Sequence, residues 1–312
     1  MSKHPDRKAV LLNPAAGRGR AGRSRGRVEE AFQRRGIAYD LFITESEEHL
    51  RQLTREKARE YPTVVGVGGD STLQIMAEEM IKGRAGAALG MIGLGSSNDI
   101  TREFGLADIE KGSEAIKRGN RRRIDLGEIS SEGAVLKYFI GQANIGLGVW
   151  VNRYVEELTG GKPHWGKFQI LAGIAGAISA YRKKMVPIPL RVETDSRRIT
   201  GSFLIAAFTN ISYWANGMKL HPDAHPDDGR LEACLIRPCS FCRLASLAVL
   251  AKRGRLQGAE EVERLPAPAF DISSDQAFSI QTDGEVIGGR QSPAHFRRIQ
   301  VRVVPQALTI IA

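Results

Sequence analysis

The chain has 312 residues, of which 42% are hydrophobic and only 6% aromatic, and it carries a formal net charge of +10 with a pI near 9.7. This length and apolar content exclude a disordered or fibrous protein and favour two domains. The positive charge indicates an anionic partner: a nucleotide, a nucleic acid or an acidic membrane. The low aromatic content argues against nucleic acid, because extended single strands are bound by base stacking on aromatic side chains.

The N-terminal residues, the longest apolar stretch and the cysteine content together predict a cytoplasmic protein. Residues 1–7 are polar and charged, so we expect no secretory signal. The longest apolar stretch, residues 168–180, is interrupted by Gln169 and Ser179 and is shorter than the roughly 20 residues that a spanning helix needs. The three cysteines are too few for a disulfide framework: Cys234, Cys239 and Cys242. The protein is therefore expected to be soluble or peripheral at the inner membrane surface.

The first predicted strand, residues 9–12, is followed by a loop over residues 13–19 and a helix from about residue 21 to 35. A loop between strand and helix suits a phosphate, because the first N–H groups of a helix have no partner. Five arginines in and after this loop indicate either a phosphate site or a solvated helix face: Arg18, Arg20, Arg23, Arg25 and Arg27.

The strongest single signal is the segment 63–74. Residues 63–67 are a β-branched run that suits a buried strand, and Gly68 and Gly69 then let the chain turn with exposed amides. Ser71 and Gln74 have the spacing of a capping box, which predicts a helix that begins at Ser71. The positive end of that helix suits a phosphate.

Asp70 lies in this same turn. A carboxylate beside a phosphate is repelled unless a cation lies between them, and a magnesium ion would remove the conflict. The alternative is an ordinary strand-to-helix turn of an α/β domain, and the segment alone leaves both open.

Two further strand-and-turn units complete the pattern. A second strand is predicted over residues 39–43, with Thr44 directly after it, and a charged helix over residues 47–60. A fourth strand over residues 87–92 leads into the small-residue turn 93–99. Alternating strands and helices predict a parallel sheet, which binds ligands beyond the carboxyl ends of its strands. We therefore expect the three turns to meet in a single pocket.

The pattern changes near Ile124. Fewer helices follow, at residues 151–158, 164–182 and 241–252, and the strand-like runs predict an antiparallel, β-rich second domain. These runs cover residues 136–144, 190–194, 199–208, 231–236, 278–282 and 299–304. In the segment 165–181 apolar residues recur at helical spacing, which predicts burial against the sheet or a membrane-facing rim.

Two acidic segments occur in this half. The segment 223–230 is dense in oxygen ligands and could hold a hard cation, or it could be an Asx-rich surface turn that ends at Gly229. The segment 282–285 carries Asp283 and Glu285, which could place one carboxylate on a metal and the other on a substrate hydroxyl as general base. Asp283-Gly284 is equally a preferred hairpin pair.

Cys239 and Cys242, with His221 and His225 upstream, could form a four-ligand zinc site or a redox pair. The spacing is weak support, since no second cysteine pair is present and redox motifs of this kind sit at the start of a helix beside a parallel strand. Buried or incidental thiols are the alternative.

Five stretches together resemble the diacylglycerol kinase catalytic domain family, which includes bacterial lipid kinases and the sphingosine and ceramide kinases. They occur in the family's order and rough spacing over nearly the whole chain. The stretches are Asn13-Pro14-Ala15-Ala16-Gly17, Gly68-Gly69-Asp70-Ser71-Thr72, Gly95-Ser96-Ser97-Asn98-Asp99, Asn216-Gly217-Met218-Lys219-Leu220 with Asp227-Asp228-Gly229-Arg230-Leu231, and Asp283-Gly284-Glu285.

The resemblance implies a Rossmann-like α/β nucleotide-binding domain, a C-terminal β-sandwich that takes the lipid, and an active site in the cleft between them. By this analogy residues 1–124, completed by a last strand within 305–312, form the first domain, and residues 125–304 form the second. The implied activity is transfer of the ATP γ-phosphate to the hydroxyl of a diacylglycerol-like or sphingoid lipid at an anionic membrane surface.

The same resemblance assigns site residues. Glu285 would accept the proton of the lipid hydroxyl, with Asp283 as the other candidate, and Asp70, Asp99 and Asp283 would organise a catalytic Mg²⁺. A structural Mg²⁺ would lie on Asp228 and the carbonyl groups of His225 and Arg230. The ATP site would be lined by Asn13, Pro14, Ala15, Ala16, Gly17, Thr44, Gly68, Gly69, Asp70, Ser71, Thr72, Ser96, Asn98 and Asp99.

The chain also departs from the family pattern. The family usually has glycine at Ser71 and Asn-Glu at Gln74-Ile75, and the segment 146–150 lacks an acidic residue often found there. These departures leave two alternatives to a lipid kinase: a catalytically impaired regulatory protein that binds nucleotide or lipid, and a soluble kinase similar to the NAD kinases. The lipid used and the oligomeric state, a homodimer among the options, are not predicted by the sequence.

Overall fold

The computed structural model describes residues 3–147, 186–289 and 292–312. The predicted helices 151–158 and 164–182, and the proposed membrane-facing rim 165–181, lie outside these residues. The described helices are α1 (Ala16–Arg23), α2 (Arg25–Arg34), α3 (Glu47–Glu60), α4 (Asp70–Lys82), α5 (Asp99–Glu103), α6 (Ile109–Arg118) and α7 (Phe241–Lys252).

The described strands are β1 (Lys8–Leu12), β2 (Tyr39–Ile43), β3 (Thr63–Gly68), β4 (Ala88–Gly93), β5 (Arg121–Ser131), β6 (Ala134–Phe139), β7 (Gln142–Gly146), β8 (Ile188–Glu193), β9 (Arg198–Phe203), β10 (Ile205–Thr209), β11 (Tyr213–Trp214), β12 (Met218–Lys219), β13 (Leu231–Ile236), β14 (Val262–Ala267), β15 (Ala269–Phe278), β16 (Ile280–Thr282), β17 (Glu285–Val286) and β18 (Phe296–Ile311).

The first half of the chain forms a parallel sheet in the order β2-β1-β3-β4. Strands β3 and β4 are buried along their whole length, as their apolar and glycine-rich sequences predict for strands covered on both faces. Their register ends with Gly68 opposite Gly93. The turns after β1, β3 and β4 therefore leave the sheet at the same edge, which is the geometry that the sequence predicts.

Strand β18 connects this sheet to the rest of the molecule. Near its C-terminal end it runs parallel to β4, with Ile310 opposite Leu89, and along most of its length it pairs antiparallel with β5. Its N-terminal part pairs with β15, which continues the same sheet through β8 and β9. The predicted domain boundary at residue 124 falls inside β5, and the division into 1–124 and 125–304 stays a prediction.

A second, six-stranded sheet has the order β14-β13-β10-β7-β16-β17 and packs on the β15-β8-β9 side of the first. Phenylalanines from both sheets fill the space between them, and the rings of Phe208 and Phe270 lie 5.1 Å apart. The predicted fold class, an α/β domain followed by a β-sandwich, is confirmed. Among the described helices none has the length and apolar character needed to cross a bilayer.

Two local predictions are wrong in an informative way. The predicted strand 136–144 is two strands, β6 and β7, separated at Ile140 and Gly141. The predicted capping box is absent: α4 begins at Asp70 after an extended Gly69, and no side chain caps it. Gln74 is instead fully buried and faces β6, where its side-chain amide donates to the carbonyl of Tyr138 and accepts the N–H of Ile140.

Candidate active site

Two cavities meet at the junction of the two halves, and they differ in chemistry. The first, which we call the polar cleft, has a volume of about 1540 Å³ and lies between the turns of the parallel sheet and the β16–β17 hairpin. The second, the apolar cavity, has a volume of about 500 Å³ and lies inside the β-rich half. The start of α4 lies between them, because Asp70 lines the apolar cavity whereas Ser71 and Thr72 line the polar cleft.

The polar cleft contains the first and second turns. Asn13 joins the first turn to the second, because its side-chain amide donates to Thr72 Oγ1 at 3.0 Å. Its Oδ1 accepts the N–H of Ala15 at 3.1 Å within the first turn. Thr44 is buried at the end of β2 and its N–H donates to the carbonyl of Leu12. Six predicted nucleotide-binding residues line the cleft: Asn13, Pro14, Ala15, Thr44, Ser71 and Thr72.

The second and third turns touch backbone to backbone. A Cβ atom added to Gly95 would lie 2.3 Å from the Cα of Gly69, so only glycine fits at this contact. Asn98 holds the third turn in place: it adopts a left-handed conformation with φ of 57° and its Oδ1 accepts the N–H of Gly95 at 2.7 Å. Ser96 is exposed at the tip of this turn.

The first turn is fixed by Gly17, Arg18 and Gly19, which all have positive φ and interrupt α1. A Cβ on Gly17 would lie 2.2 Å from the carbonyl oxygen of Leu94. The guanidinium of Arg20 donates to the carbonyl groups of Leu94 and Gly95. Arg20 thus ties the first turn to the third, so that at least one of the five predicted phosphate-site arginines has a positioning role.

The far wall of the polar cleft is a network of ion pairs. Lys137 of β6 lies 3.0 Å from carboxylate oxygens of both Glu78 on α4 and Glu285 on β17. Glu78 is only 2% exposed and also pairs with Lys82 and Arg51. Burial opposes the charged form of Lys137, but the two carboxylates prevail and raise its pKa.

The apolar cavity is bounded by aliphatic and aromatic side chains except at one end. Helix α7 contributes Leu244, Leu247 and Ala251 to its wall, and β10 and β13 contribute Ile205 and Ile236. The polar and small residues that border it come from the turns and the acidic hairpin: Asp70, Ser97, Asp99, Gly141, Gln142, Gln281, Asp283 and Gly284.

Asp70 and Asp99 are held by backbone amides at this end. The two oxygens of Asp70 accept the N–H groups of Asp99 and Ile100 at 3.1 and 3.0 Å, at the start of α5. Asp99 accepts the N–H groups of Asn216 and Gly217 at 2.9 and 2.8 Å. Burial raises the pKa of Asp70 to about 6, although the amides oppose the shift.

Asp283, the third carboxylate, is also buried. It accepts the N–H groups of Ile140, Gly141 and Gln142 at 2.8 to 3.2 Å, in the gap between β6 and β7. Burial nevertheless raises the pKa of Asp283 to about 7, and the charge of Asp70 adds to this effect. The two acidic residues of the hairpin face different cavities, because Asp283 lines the apolar cavity and Glu285 lines the polar cleft.

The three aspartates fit a hard cation in their chemistry. They supply oxygen ligands, they border one cavity, and two of them carry pKa values raised by burial, which a bound cation would reverse. Within residues 3–147, 186–289 and 292–312, no three His, Cys, Asp or Glu side chains lie close enough to hold a metal by themselves. A magnesium ion here would therefore complete its coordination with phosphate and water oxygens.

The predicted structural metal site is an exposed turn. His225, Asp228 and Arg230 are all exposed, and Asp228 Oδ1 accepts the N–H of Arg230 at 3.0 Å, as in an Asx turn. The turn is anchored by buried Asp125, which accepts the N–H of Gly229 at 2.7 Å. A magnesium ion on this turn stays a prediction.

The predicted zinc site is not assembled in the part of the chain that the structure describes. His221 lies between Arg264 and Glu232, with its Nε2 3.0 Å from a Glu232 carboxylate oxygen. Cys239 is half-buried and Cys242 is exposed, and burial raises the pKa of the Cys239 thiol, which disfavours the thiolate that a metal would need.

Comparisons with known proteins agree with the resemblance found in the sequence. Residues 7–129 match the family model of the diacylglycerol kinase catalytic domain, and residues 141–312 match that of the YegS C-terminal NAD kinase beta sandwich-like domain. This chain belongs to the diacylglycerol kinase family of lipid kinases.

Relatives of this kinase family align along the full chain. A diacylglycerol kinase of Staphylococcus saprophyticus is 26% identical over 95% of this chain and 94% of its own length. A probable YegS-like lipid kinase of Pseudomonas aeruginosa is 27% identical, with coverages of 93% and 90%. A crystal structure of a diacylglycerol kinase from Bacillus anthracis has the same fold, with a TM-score of 0.69 at 15% identity over 98% of this chain and 96% of that one.

Several residues of the site are not found by sequence reasoning. The amides of residues 140–142 hold Asp283, yet a backbone N–H leaves no signature in a sequence. Lys137 and Glu78 come from separate elements and meet only in the fold. The sequence of α7 does not reveal that the helix lines a cavity, because its apolar residues are those of an ordinary core helix.

Proposed function

We propose that this protein transfers the γ-phosphate of ATP to the hydroxyl group of a lipid. The observation that carries the proposal is the position of Asp283. This buried carboxylate borders an apolar cavity, and beyond Asp70 and the start of α4 lies a polar cleft formed by glycine turns. A triphosphate in the cleft and an aliphatic acceptor in the cavity would meet near the three aspartates Asp70, Asp99 and Asp283.

The acceptor is assigned from the walls of the apolar cavity. Its lining is mostly aliphatic and aromatic, and its polar groups come from the turns and the acidic hairpin, so it suits a hydrocarbon chain whose hydroxyl points toward Asp283. A dinucleotide or a sugar would bury its own polar groups without hydrogen-bond partners against Leu244, Leu247 and Ile236. This would weaken its binding free energy. This disfavours the NAD-kinase-like alternative.

The nucleotide side is assigned from the turns. Phosphates would lie against the first amides of α4, where the helix dipole and free N–H groups favour negative charge. Ser71, where the family usually has glycine, lies in the first turn of α4 with its side chain exposed and without positive φ. The residue therefore costs no backbone strain, which supports an active enzyme over an impaired one.

Asp283 is proposed as the group that receives the hydroxyl proton. It lines the cavity that the hydroxyl would enter. With the cation on Asp70 and Asp99 and not on Asp283 itself, burial keeps the pKa of Asp283 above its usual range, which favours acceptance of a proton. The acceptor oxygen then forms its bond to the γ-phosphorus while the bond to the β-phosphate bridging oxygen breaks and ADP leaves. Magnesium, when bound near Asp70 and Asp99, would neutralise charge on the phosphates.

Glu285 has a different role in this proposal. It is ion-paired with Lys137 on the wall of the polar cleft, and it does not line the apolar cavity. We therefore assign the proton transfer to Asp283 and not to Glu285.

The test is transfer of labelled γ-phosphate to a total lipid extract, with mass spectrometry of the product. Asp283→Asn should lower kcat by on the order of 10³-fold with little change in the KM for ATP, because it removes the proton acceptor. Glu285→Gln should retain much more activity, and Asp275→Asn, at an exposed position of β15, is the matched control.

Three outcomes contradict the proposal. Full activity of Asp283→Asn would refute the assigned base. ATP binding without transfer to any lipid would favour the regulatory alternative. Transfer to NAD and not to lipid would favour the soluble kinase.

A further inference from the structure

The mouth of the apolar cavity can be located from the exposure of its lining. Part of its wall is buried, whereas a group of apolar residues both lines the cavity and reaches solvent. These rim residues come from the β11–β12 hairpin and from α7: Tyr213, Trp214, Ala215, Met218, Phe241, Leu244, Ala245 and Ala248. Val249, the next residue of α7, is 51% exposed and extends the apolar surface outward.

The rim is flanked by positive charge. Lys252 lies at the end of α7, and Arg253 and Arg255 follow it; all three are exposed. Within the described ranges none of these three forms an ion pair, and Lys252 donates only to the carbonyl of Asn216 in the hairpin. The acidic neighbour Glu261 is already paired with Arg243 at 2.7 Å.

Lys219 adds a fourth cation next to the other three, because its Cδ would lie 3.6 Å from a Cβ added to Gly254. Its ammonium group lies 4.8 Å from the centre of the Tyr213 ring, and Arg102 approaches the same ring at 5.7 Å. The surface therefore combines an apolar centre, one tyrosine, one tryptophan and a basic border. Tyr and Trp prefer the headgroup region of a bilayer, and Lys and Arg are attracted to anionic headgroups.

We propose that this rim, formed by the β11–β12 hairpin, the outer face of α7 and the basic residues Lys252, Arg253 and Arg255, rests on the surface of an anionic bilayer. The positive charge of the rim favours an anionic membrane, and the rim surrounds the opening of the apolar cavity. A lipid could pass from the membrane into the cavity without its chain crossing water. The inference rests on the proposed lipid acceptor, but the binding step can be measured without catalysis.

The test is co-sedimentation of the full chain with large vesicles of phosphatidylglycerol or of phosphatidylcholine, without ATP. The triple variant Lys252→Glu, Arg253→Glu, Arg255→Glu should lose binding to phosphatidylglycerol by on the order of 10²-fold. The control variant Arg59→Glu, Arg84→Glu, Lys117→Glu makes the same change in net charge at exposed sites in α3, after α4 and in α6, and it should bind nearly as the wild type does.

A second readout locates the contact. In a background with Trp150→Phe and Trp165→Phe, the fluorescence of Trp214 should be quenched by vesicles of phosphatidylglycerol with brominated chains. Equal loss of binding in both charge variants would show that net charge alone acts and would overturn the proposal. Binding without quenching of Trp214 would also overturn it, and would place the contact elsewhere.

Failure of the proposed function has a separate signature. If the wild type binds phosphatidylglycerol vesicles through Trp214 but phosphorylates no lipid, then the docking surface stands and the catalytic proposal falls. The opposite result is also distinct. If the wild type and the triple variant of Lys252, Arg253 and Arg255 phosphorylate lipid in detergent micelles equally, and the triple variant still binds vesicles as the wild type does, then the catalytic proposal stands and the proposed membrane contact of the rim falls.

Discussion

The polar cleft and the apolar cavity share one helix start and one hairpin, yet they are constructed in different ways. The cleft is shaped by backbone: glycine turns in close contact, with Gly69 against Gly95, and an ion-pair wall around Lys137. The cavity is shaped by side chains of α7 and the second sheet. Backbone contacts tolerate almost no substitution, whereas a side-chain wall can change by exchange of single residues. If the cleft binds the phosphate donor and the cavity the acceptor, as proposed, donor recognition should be rigid and acceptor choice adjustable.

The largest effect should come from breaking the backbone contact of the cleft. In Gly95→Ala the new Cβ would lie 2.3 Å from Gly69 Cα, so the second and third turns must separate. Misplacement of about 1 Å at a reacting group costs on the order of 10²-fold, and we expect a loss of that size in kcat/KM for ATP. Gly26→Ala, in α2 with no atom within 4 Å, is the control and should remain active. An unchanged kcat/KM would show that the turn contact is irrelevant.

Filling the cavity should have a smaller and more selective effect. Ala251 is 2% exposed and lines the cavity, so Ala251→Phe removes volume from the proposed acceptor site. We expect the KM for long-chain lipid to rise on the order of tenfold, with the KM for ATP unchanged. Ser246→Phe, on the exposed side of the same helix, controls for a bulky residue in α7. Parallel changes in both KM values would contradict independent sites.

The ion-pair wall can be tested through stability. Lys137→Met leaves Glu285 without its partner, while buried Glu78 keeps Lys82 and Arg51. We expect the free energy of unfolding to fall by about 2 kcal/mol, less than for a buried carboxylate that loses every partner. Urea denaturation measures this, and Lys137→Met should cost less in a Glu285→Gln background. Equal costs in both backgrounds would mean that the pair is not coupled.

The two buried carboxylates Asp70 and Asp283 should give an effect that is seen only on titration, a pH dependence of stability. Raised pKa values, about 6 for Asp70 and about 7 for Asp283, mean that the native state binds more protons than the unfolded chain between pH 4 and 7. Their contribution to stability therefore falls as pH rises, by up to about 1.4 kcal/mol per pH unit for each proton. In EDTA, Asp283→Asn should gain stability over the wild type as pH rises from 5 to 7.5. A constant difference would contradict the raised pKa.

Much of this architecture could be predicted because it depends on local pattern. β-branched runs followed by glycine predicted buried strands and their turns, and the rule for parallel sheets placed those turns at one edge. The prediction of a single pocket was wrong, because Asp70 and Thr72 are separated by one residue yet face different cavities. At a helix start successive side chains point about 100° apart, and the sequence alone does not fix which side faces the acceptor.

The errors at Gln74 and at residues 140–141 share a cause. Ser71 and Gln74 satisfied a local rule, but Gln74 gains more from two hydrogen bonds across to β6 than from capping. The strand 136–144 satisfied the rule for continuous apolar character, yet it breaks where three amides turn toward Asp283. Both outcomes depend on partners more than 60 residues distant, and pattern rules do not include such contacts.

Strand β18 has a consequence for biosynthesis. Leu308, Ile310 and Ile311 belong to the same apolar cluster as Val64 of β3 and Leu89 of β4. The sheet that begins at residue 8 is thus completed by β18, so the first domain cannot close its core until that distant strand has been synthesised. Removal of residues 308–311 would expose the interior of the part of the chain made first, and chaperones should hold that part until β18 emerges from the ribosome.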